Sequence, residues 1–410
     1  MYYYDIDGRR AASFLPLSFP AADAGIPELF LLRRGSSRAA FRVTDARQLT
    51  TEVEDVRWLD AVRMETAAPD LPADVAAAIE AGTLTAVDLT HPRWQDALSF
   101  VTPRAGKKRV HLLAVGDVGG TLLTALKLLG GDCISTIGIC DLNENTVARW
   151  VTEMGQIAWP WDYGALPAVE AVSNDRLFDC DVFIFAATKA IPPVGSEVQD
   201  VRMAQFAANR PLVEHFAREA RKANFGGLFM VLSDPVDPLC KAAWLASNRN
   251  EAGETDRLGL LPEQVQGFGL GVMNARAAYY AKRDDRFASF LSEGRSFGPH
   301  GTGLTIANSI EHYDDVLSQE LTHLTVTANL KMREIGFKPY VAPAMSSGAL
   351  SLLLTLRGEW HCGSVFLDGI YMGVKNRYTP AGVETELLPH IPDALYGHIV
   401  EAANHLKEVL

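Results

Sequence analysis

The segment FGPHGTG, residues 297–303, places one histidine, His300, between Gly298-Pro299 and Gly301. A tight turn uses the glycines and the proline but has no need of an imidazole. An imidazole titrates near ~6.5 and exchanges protons close to neutral pH. His300 is therefore either a proton-transfer group or a turn residue, and the rest of the chain has to separate the two. A second stretch with chemical potential is AVGDVGG, residues 114–120. A G-x-G-x-x-G turn lets the main chain approach a pyrophosphate at a helix N-terminus. Here Ala114 holds the first glycine position, and Gly116 and Gly119 fill the other two. Asp141 follows 22 residues after Gly119, near the spacing of an acid that binds a ribose hydroxyl. It reads either as that acid or as a turn or helix-capping aspartate. As a ribose ligand it favours NAD over NADP, because it would repel a 2′-phosphate.

These residues need elements to hold them. VHLLAV (110–115) is a short continuous apolar run, as in a buried parallel strand, and GGTLLTALKLLGG (119–131) follows as a helix. STIGICD (135–141) is a second strand, and NENTVARWVTEMGQ (143–156) a helix with Asn143 or Asn145 as its cap. CDVFIFAAT (180–188), the amphipathic FAANRPLVEHFAREARKAN (206–224) and GGLFMVLSDP (226–235) continue the alternation. Strands alternating with helices predict a doubly wound parallel sheet. Beyond about residue 237 the pattern is mixed, with helices near 305–336, 346–357 and 393–409 and strands near 363–378. Residues 1–105 form a separate α+β region without a chemical motif. ELFLLRRGSSRAAFRV (28–43) reads as two strands around a Gly-Ser-Ser turn, and PADVAAAIEAG (72–82) as a helix closed by Gly82. TPRAGKKR (102–109) is the linker candidate.

Composition narrows the function classes. The net charge is −12 with no long basic run, which argues against phosphate-driven nucleic-acid binding. The five cysteines include no CxxC pair, so neither a disulfide framework nor a zinc ribbon is expected, and a reducing cytoplasm fits. MYYYDIDGRR at the start lacks the pattern of a signal peptide, and no apolar run is long enough to span a membrane. His361 and Cys362 are adjacent on a strand and point to opposite faces, so no metal site is expected from them.

The order of motifs over 110–410 resembles the lactate/malate dehydrogenase family. AVGDVGG is similar to its nucleotide turn, CDVFIFAAT to its strand ending in Thr-Ala-Gly, and RMAQFAAN (202–209) to its mobile loop and following helix. SDPVD (233–237) looks like the family's Asn-Pro-Val-Asp. GFGLGVMNAR (267–276) resembles the segment ending in the substrate arginine, and FGPHGTG the segment carrying the catalytic histidine. Six short motifs in one order are more specific than any one of them. The resemblance implies a Rossmann-type doubly wound parallel sheet (106–237) that binds NAD, then an α+β catalytic domain (238–410), with 1–105 as an added α+β extension. It implies an oxidoreductase moving a hydride between nicotinamide and a 2-hydroxy acid or related CH–OH substrate, built as a homo-oligomer. In that reading His300 is the acid/base, Arg276 clamps the substrate carboxylate and Arg202 polarises the reacting carbonyl. Gly116, Asp117, Val118, Gly119, Asp141, Ala187, Thr188, Asn209 and Ser233 line the cofactor.

Four departures bear on that reading. Met273 stands where the family has the aspartate that orients its histidine. Asp234 stands where the family has asparagine, so the carboxylate is expected to have moved from 273 to 234, the alternative being a plain hydrogen-bonding residue at a strand end. Thr188 replaces a family glycine near the cofactor. The loop KAIPPVGSEVQDV (189–201) is longer than the family's and has no arginine, which disfavours a small dicarboxylate. Two other readings stay open: a non-catalytic dinucleotide-binding relative, and an NAD-dependent glycosidase, which the missing Cys-Asn-x-Pro arrangement around Cys240 disfavours.

Overall fold

A computed structural model of the chain describes residues 1–35, 38–101, 106–189 and 201–410. The N-terminal region carries strands β1 (Tyr2–Ile6), β2 (Arg9–Ser13), β3 (Leu29–Leu32), β4 (Ala40–Arg42) and β5 (Thr85–Asp88), with helices α1 (Ala73–Ala81) and α2 (Trp94–Val101). Its sheet order is β1-β2-β3-β5-β4. The expected strands on either side of Gly35 both form but do not pair with each other, because β5 lies between them. All four residues of β3 are buried, so both faces of the sheet are covered there, and β2 and β5 flank it. Helix α1 ends at Gly82, which is left-handed (φ 70°) as a C-terminal stop requires. Residues 36–37, in the expected turn, and 102–105, in the expected linker, lie outside the described residues.

The second sheet has nine strands in the order β16-β15-β14-β11-β10-β9-β6-β7-β8. Its parallel part comprises β6 (Lys108–Leu113), β7 (Ile134–Cys140), β8 (Ala168–Ala171), β9 (Val182–Phe185), β10 (Leu228–Val231) and β11 (Val265–Gly267). Numbered along the chain, that is the 3-2-1-4-5-6 order of a dinucleotide-binding fold. β9 (VFIF) and β10 (LFMV) are buried at every residue, so both sheet faces need cover. Helices α5 (Val201–Lys222) and α6 (Val236–Ser247) cover one face through Val213, Ala217, Leu239 and Ala243. Helices α3 (Asp117–Leu129), α4 (Glu144–Gly155) and α10 (Ser351–Arg357) cover the other through Leu122, Leu126, Met154 and Leu352. The sixth parallel strand, β11, lies past residue 237. It is three residues long and follows a polar connection, so it leaves no apolar run to read.

The remainder comprises α7 (Leu270–Ala281), α8 (Phe290–Glu293), the two-stranded β12 (Arg295–Phe297) and β13 (Thr305–Ala307), α9 (Asp315–Glu334), a π-helix over Pro343–Leu350, and α11 (Asp393–Glu408). The antiparallel strands β14 (His361–Leu367), β15 (Ile370–Thr379) and β16 (Gly382–Thr385) extend the nine-stranded sheet. The N-terminal region packs on this body through both apolar and polar contacts, Val56 and Leu59 joining the core around Leu388 and Leu395, and Leu261 the core around Leu29 and Leu31. Arg42 pairs with Glu384, Arg38 donates to the Phe366 carbonyl at 2.8 Å, and buried Glu263 accepts from the Ala39 N–H at 3.0 Å. Among the described residues no helix is long and apolar enough to cross a membrane. All five cysteines are free thiols.

Candidate active site

Parallel strands leave their C-terminal ends, with the loops that follow, on one side of the sheet, and the site residues gather there. The nucleotide turn follows β6. Ala114, at the first glycine position, has φ 73°, a left-handed conformation unusual for alanine. Gly116 caps α3, and a Cβ added to it would meet nothing within 4 Å. The space beside this helix start is open, and a helix N-terminus is where a pyrophosphate binds. A Cβ at Gly119 would strike the Ala114 carbonyl, so glycine lets the helix close onto the strand. Asp141, after β7, accepts from the Val115 N–H at 2.9 Å and from the Asn143 N–H at 3.1 Å. Its carboxylate therefore sits beside the glycine turn, while Asn143 caps α4 by accepting from the Thr146 N–H. Exposed Asp117, the first residue of α3, pairs with Lys338 at 2.9 Å. Val118 is half-buried against the core on that face.

Ala187, Thr188, Asn209 and Ser233 connect the ends of β9 and β10. The Ser233 hydroxyl donates to the Ala187 carbonyl at 2.5 Å. Asn209 is buried, and its amide is spent on the chain itself. Its oxygen accepts from the Lys189 N–H at 2.8 Å and the Thr188 hydroxyl at 3.2 Å, and its nitrogen donates to the Asp234 carbonyl at 2.9 Å. As placed, Asn209 braces the loop ends. Thr188 is exposed. Residues 190–200, most of the long loop, lie outside the described residues.

The histidine turn meets the end of β10. His300 Nδ1 lies 3.1 Å from Asp234 Oδ1, with the His300 side chain 13% exposed and that of Asp234 49%. His300 Nε2 is buried and has no hydrogen-bond partner within the protein. The ring lies against the main chain: a Cβ at Gly269 would come within 2.9 Å of the His300 Cβ. Arg202, at the start of α5, donates to the His300 carbonyl. Arg276, on α7, is half-buried, and its Nη1 lies 3.6 Å from the sulfur of buried Met273 one helical turn earlier. Partial loss of hydration would raise the Asp234 pKa, but the charges of His300, Arg202 and Arg276 outweigh it and hold the carboxylate below its ordinary range. Burial pulls the Arg276 guanidinium below the usual arginine value, with Tyr280 and Asp234 opposing and the Arg202 charge adding to the shift. The fold thus brings His300, Asp234, Arg202 and Arg276 into one electrostatic cluster and puts a thioether at position 273.

Two neighbours are absent from the motif reading. Asp237, in the first turn of α6, is buried and accepts from the His300 N–H at 3.3 Å. Ser347 of the π-helix donates to the Gly269 carbonyl at 2.7 Å and accepts from the Val272 N–H at 2.8 Å, fixing the start of α7. Asp237 carried a visible signal, an acid opening an apolar helix in SDPVD; Ser347 had none. His361 is a core residue, bonded to Thr355 at 2.9 Å and stacked on Phe268, and burial pulls its pKa to about 4.

No family model matches the chain. It is 22% identical over 260 residues to an L-lactate dehydrogenase of Corynebacterium jeikeium, covering 62% of this chain and 74% of that enzyme. An L-lactate dehydrogenase of Staphylococcus saprophyticus is 25% identical over 194 residues, 47% of this chain and 54% of that enzyme, so this match spans about half the length of that enzyme. Over these stretches the chain is similar in sequence to L-lactate dehydrogenases. Solved structures agree on the fold. A lactate dehydrogenase from a Medee basin deep-sea metagenome library superposes with a TM-score of 0.58 at 17% identity, covering 74% of this chain and 98% of the other. The malate dehydrogenase of Archaeoglobus fulgidus in complex with NADH gives 0.58 at 15%, with the same coverages. About a quarter of the chain therefore lies outside these superpositions.

Proposed function

We propose that the chain is an NAD-dependent dehydrogenase that moves a hydride between nicotinamide and a 2-hydroxy acid or related CH–OH substrate. The observation that carries this reading is the His300–Asp234 contact with Arg202 and Arg276 acting on the same carboxylate. The open cradle at Gly116 and the Asp141 carboxylate beside it fit a dinucleotide, with NAD favoured over NADP. When bound, the nicotinamide supplies or accepts the hydride. Everything else falls to this chain's side chains. With Nδ1–H donated to Asp234, Nε2 is left as the base that takes the substrate hydroxyl proton, and in the reverse direction it returns it. Asp234 holds the ring in that tautomer and stabilises the charged imidazole, the task an aspartate performs for a catalytic histidine elsewhere. Arg276 offers a planar fork to the substrate carboxylate, and Arg202 polarises the reacting carbonyl. The assay is NADH absorbance with a panel of 2-hydroxy and 2-oxo acids, the wild type against His300→Ala. Turnover that survives intact in the variant refutes the assignment.

A non-catalytic dinucleotide-binding relative is the second reading, favoured by the left-handed Ala114 and by Met273 in place of an acid. It predicts NAD binding with no turnover on any panel member. We also propose a cytoplasmic homo-oligomer. Leu330, Met332, Ile335, Phe337 and Val341 stand exposed along the end of α9 and the segment after it, apolar side chains interleaved with charged ones that a subunit contact would cover. A monomer by light scattering would contradict that assembly.

A further inference from the structure

The mechanism above uses the His300 ring, and the main chain of that turn is held by a different group. Asp237 is only 2% exposed. One of its oxygens accepts from the His300 N–H at 3.3 Å, and the other from the Ser364 hydroxyl at 2.5 Å. Ser364 lies on β14, opposite Gly267 of β11. The packing around this carboxylate leaves no slack: a Cβ at Gly267 would meet Val236 and Cys240 of α6 and Ser364 of β14. Three segments remote in sequence, the start of α6, the strand β14 and the 298–303 turn, thus converge on one carboxylate.

We infer that Asp237 is a positioning residue for His300, tying the histidine's main chain to α6 and β14 while Asp234 orients the ring. The inference rests on the proposed role of His300 for its effect on turnover, though not for its geometry. A buried carboxylate costs free energy unless its oxygens are satisfied, and here both are, one of them by the residue whose placement matters most. Burial pushes the Asp237 pKa up to about 6, against the Ser364 and His300 bonds, so the group is ionised at neutral pH and begins to protonate just below it. The other groups that face the pair are Cys240 on α6, whose thiol burial pushes well up with the Asp237 charge adding to it, and Asp234, Arg202 and Arg276 around the ring. None of these replaces the bond to the His300 N–H.

Two substitutions separate tether from charge. Asp237→Ala removes both bonds and should lower kcat about tenfold while leaving the KM for NAD unchanged. Asp237→Asn keeps an acceptor for His300 and a donor for Ser364 but removes the charge. It should retain more of kcat and shift the NMR titration midpoint of the His300 ring to lower pH, by about one unit for loss of a nearby opposite charge. Ser364→Ala frees one Asp237 oxygen and should move kcat in the same direction as Asp237→Ala by a smaller amount, which keeps the test available should Asp237→Ala fail to fold. Wild-type kcat and a wild-type midpoint in Asp237→Asn and Ser364→Ala would overturn the inference and leave Asp237 as a helix-start acid. If instead the dehydrogenase reading is the one at fault, no variant turns over and the midpoint still moves, so the two failures look different.

Discussion

Replacing Asp234 by asparagine tests the centre of the proposed site, because it removes a charge and almost nothing else. Asparagine retains an oxygen that can accept from His300 Nδ1, so the 3.1 Å contact can persist. The charge of His300 helps to hold the Asp234 pKa down, and reciprocity means that the carboxylate favours the charged imidazole by the same coupling. At about 3 Å, unit charges interact by roughly 1.4 kcal/mol in water and about 5 at an effective dielectric of 20. The Asp234 side chain is half-exposed, which places the pair toward the watery end. A value of about 1–2 kcal/mol corresponds to roughly one pH unit.

The sign follows directly. Without the carboxylate, the imidazole gives up its proton at lower pH. The acid limb of kcat/KM for substrate oxidation, which needs neutral His300, should move down by about one unit. In the reduction direction, which needs the imidazolium, the high-pH decline should start about one unit earlier. Activity at the plateau should fall about tenfold, because the charge that forms on the ring loses its stabilisation. The assay is kcat/KM against pH in both directions, with NAD binding measured separately by calorimetry. Limbs that stay where they are in both directions would refute the coupling. The double variant Asp234→Asn/Met273→Asp, which restores the arrangement of the resembling family, should recover part of the loss.

His300→Ala should cut turnover on the order of 10²–10⁴-fold while the NAD dissociation constant stays within error; a parallel loss of NAD binding would mean that the histidine shapes the cleft and does no proton chemistry. Asp141→Ala should weaken NAD and narrow its preference over NADP in calorimetry, and an unchanged ratio would return Asp141 to the status of a turn aspartate. Glu263 is buried where the N-terminal region meets the body, and burial pushes its pKa up to about 7, with its own main chain and Arg38 opposing. The fold therefore holds a proton there that the unfolded chain releases at lower pH. That contribution is fully present below about pH 4.5 and is lost as pH rises through 7. Glu263→Gln should be more stable than wild type at pH 8 by about 1–3 kcal/mol in urea unfolding, and an identical pH dependence in both proteins would show that the charged carboxylate is fully compensated.

The elements that the sequence made legible are those whose signal is local. β9 and β10 are uninterrupted apolar runs because both faces of the sheet are covered, β6 ends in four buried residues, and the helix after β7 carries a cap. β11 was not legible, since three residues, Val-Gln-Gly, carry no period. The pairing of β3 with β5 instead of β4 was equally hidden. A strand's neighbours depend on which other strand reaches it, and nothing local to residues 28–43 records that β5 arrives from more than forty residues later.

The site divides along the same line. His300, Arg202, Arg276 and Asp234 were legible because each stands inside a short motif whose order along the chain could be compared with a family, and Met273 in place of an acid pointed to Asp234, the acid that stands where the family has asparagine. Asp237 belongs to the same motif, yet its task is set by partners 63 and 127 residues away, His300 and Ser364. Asn209 illustrates the converse. Its place in a motif suggested a cofactor ligand, but its amide is consumed by Thr188, Lys189 and Asp234. A motif fixes which residue types are available near a cleft. Which of them are tied to the main chain is decided by the hydrogen bonds that buried main-chain groups require, and in this chain Asn209 and Asp237 both meet such requirements, at Lys189 and Asp234 and at His300.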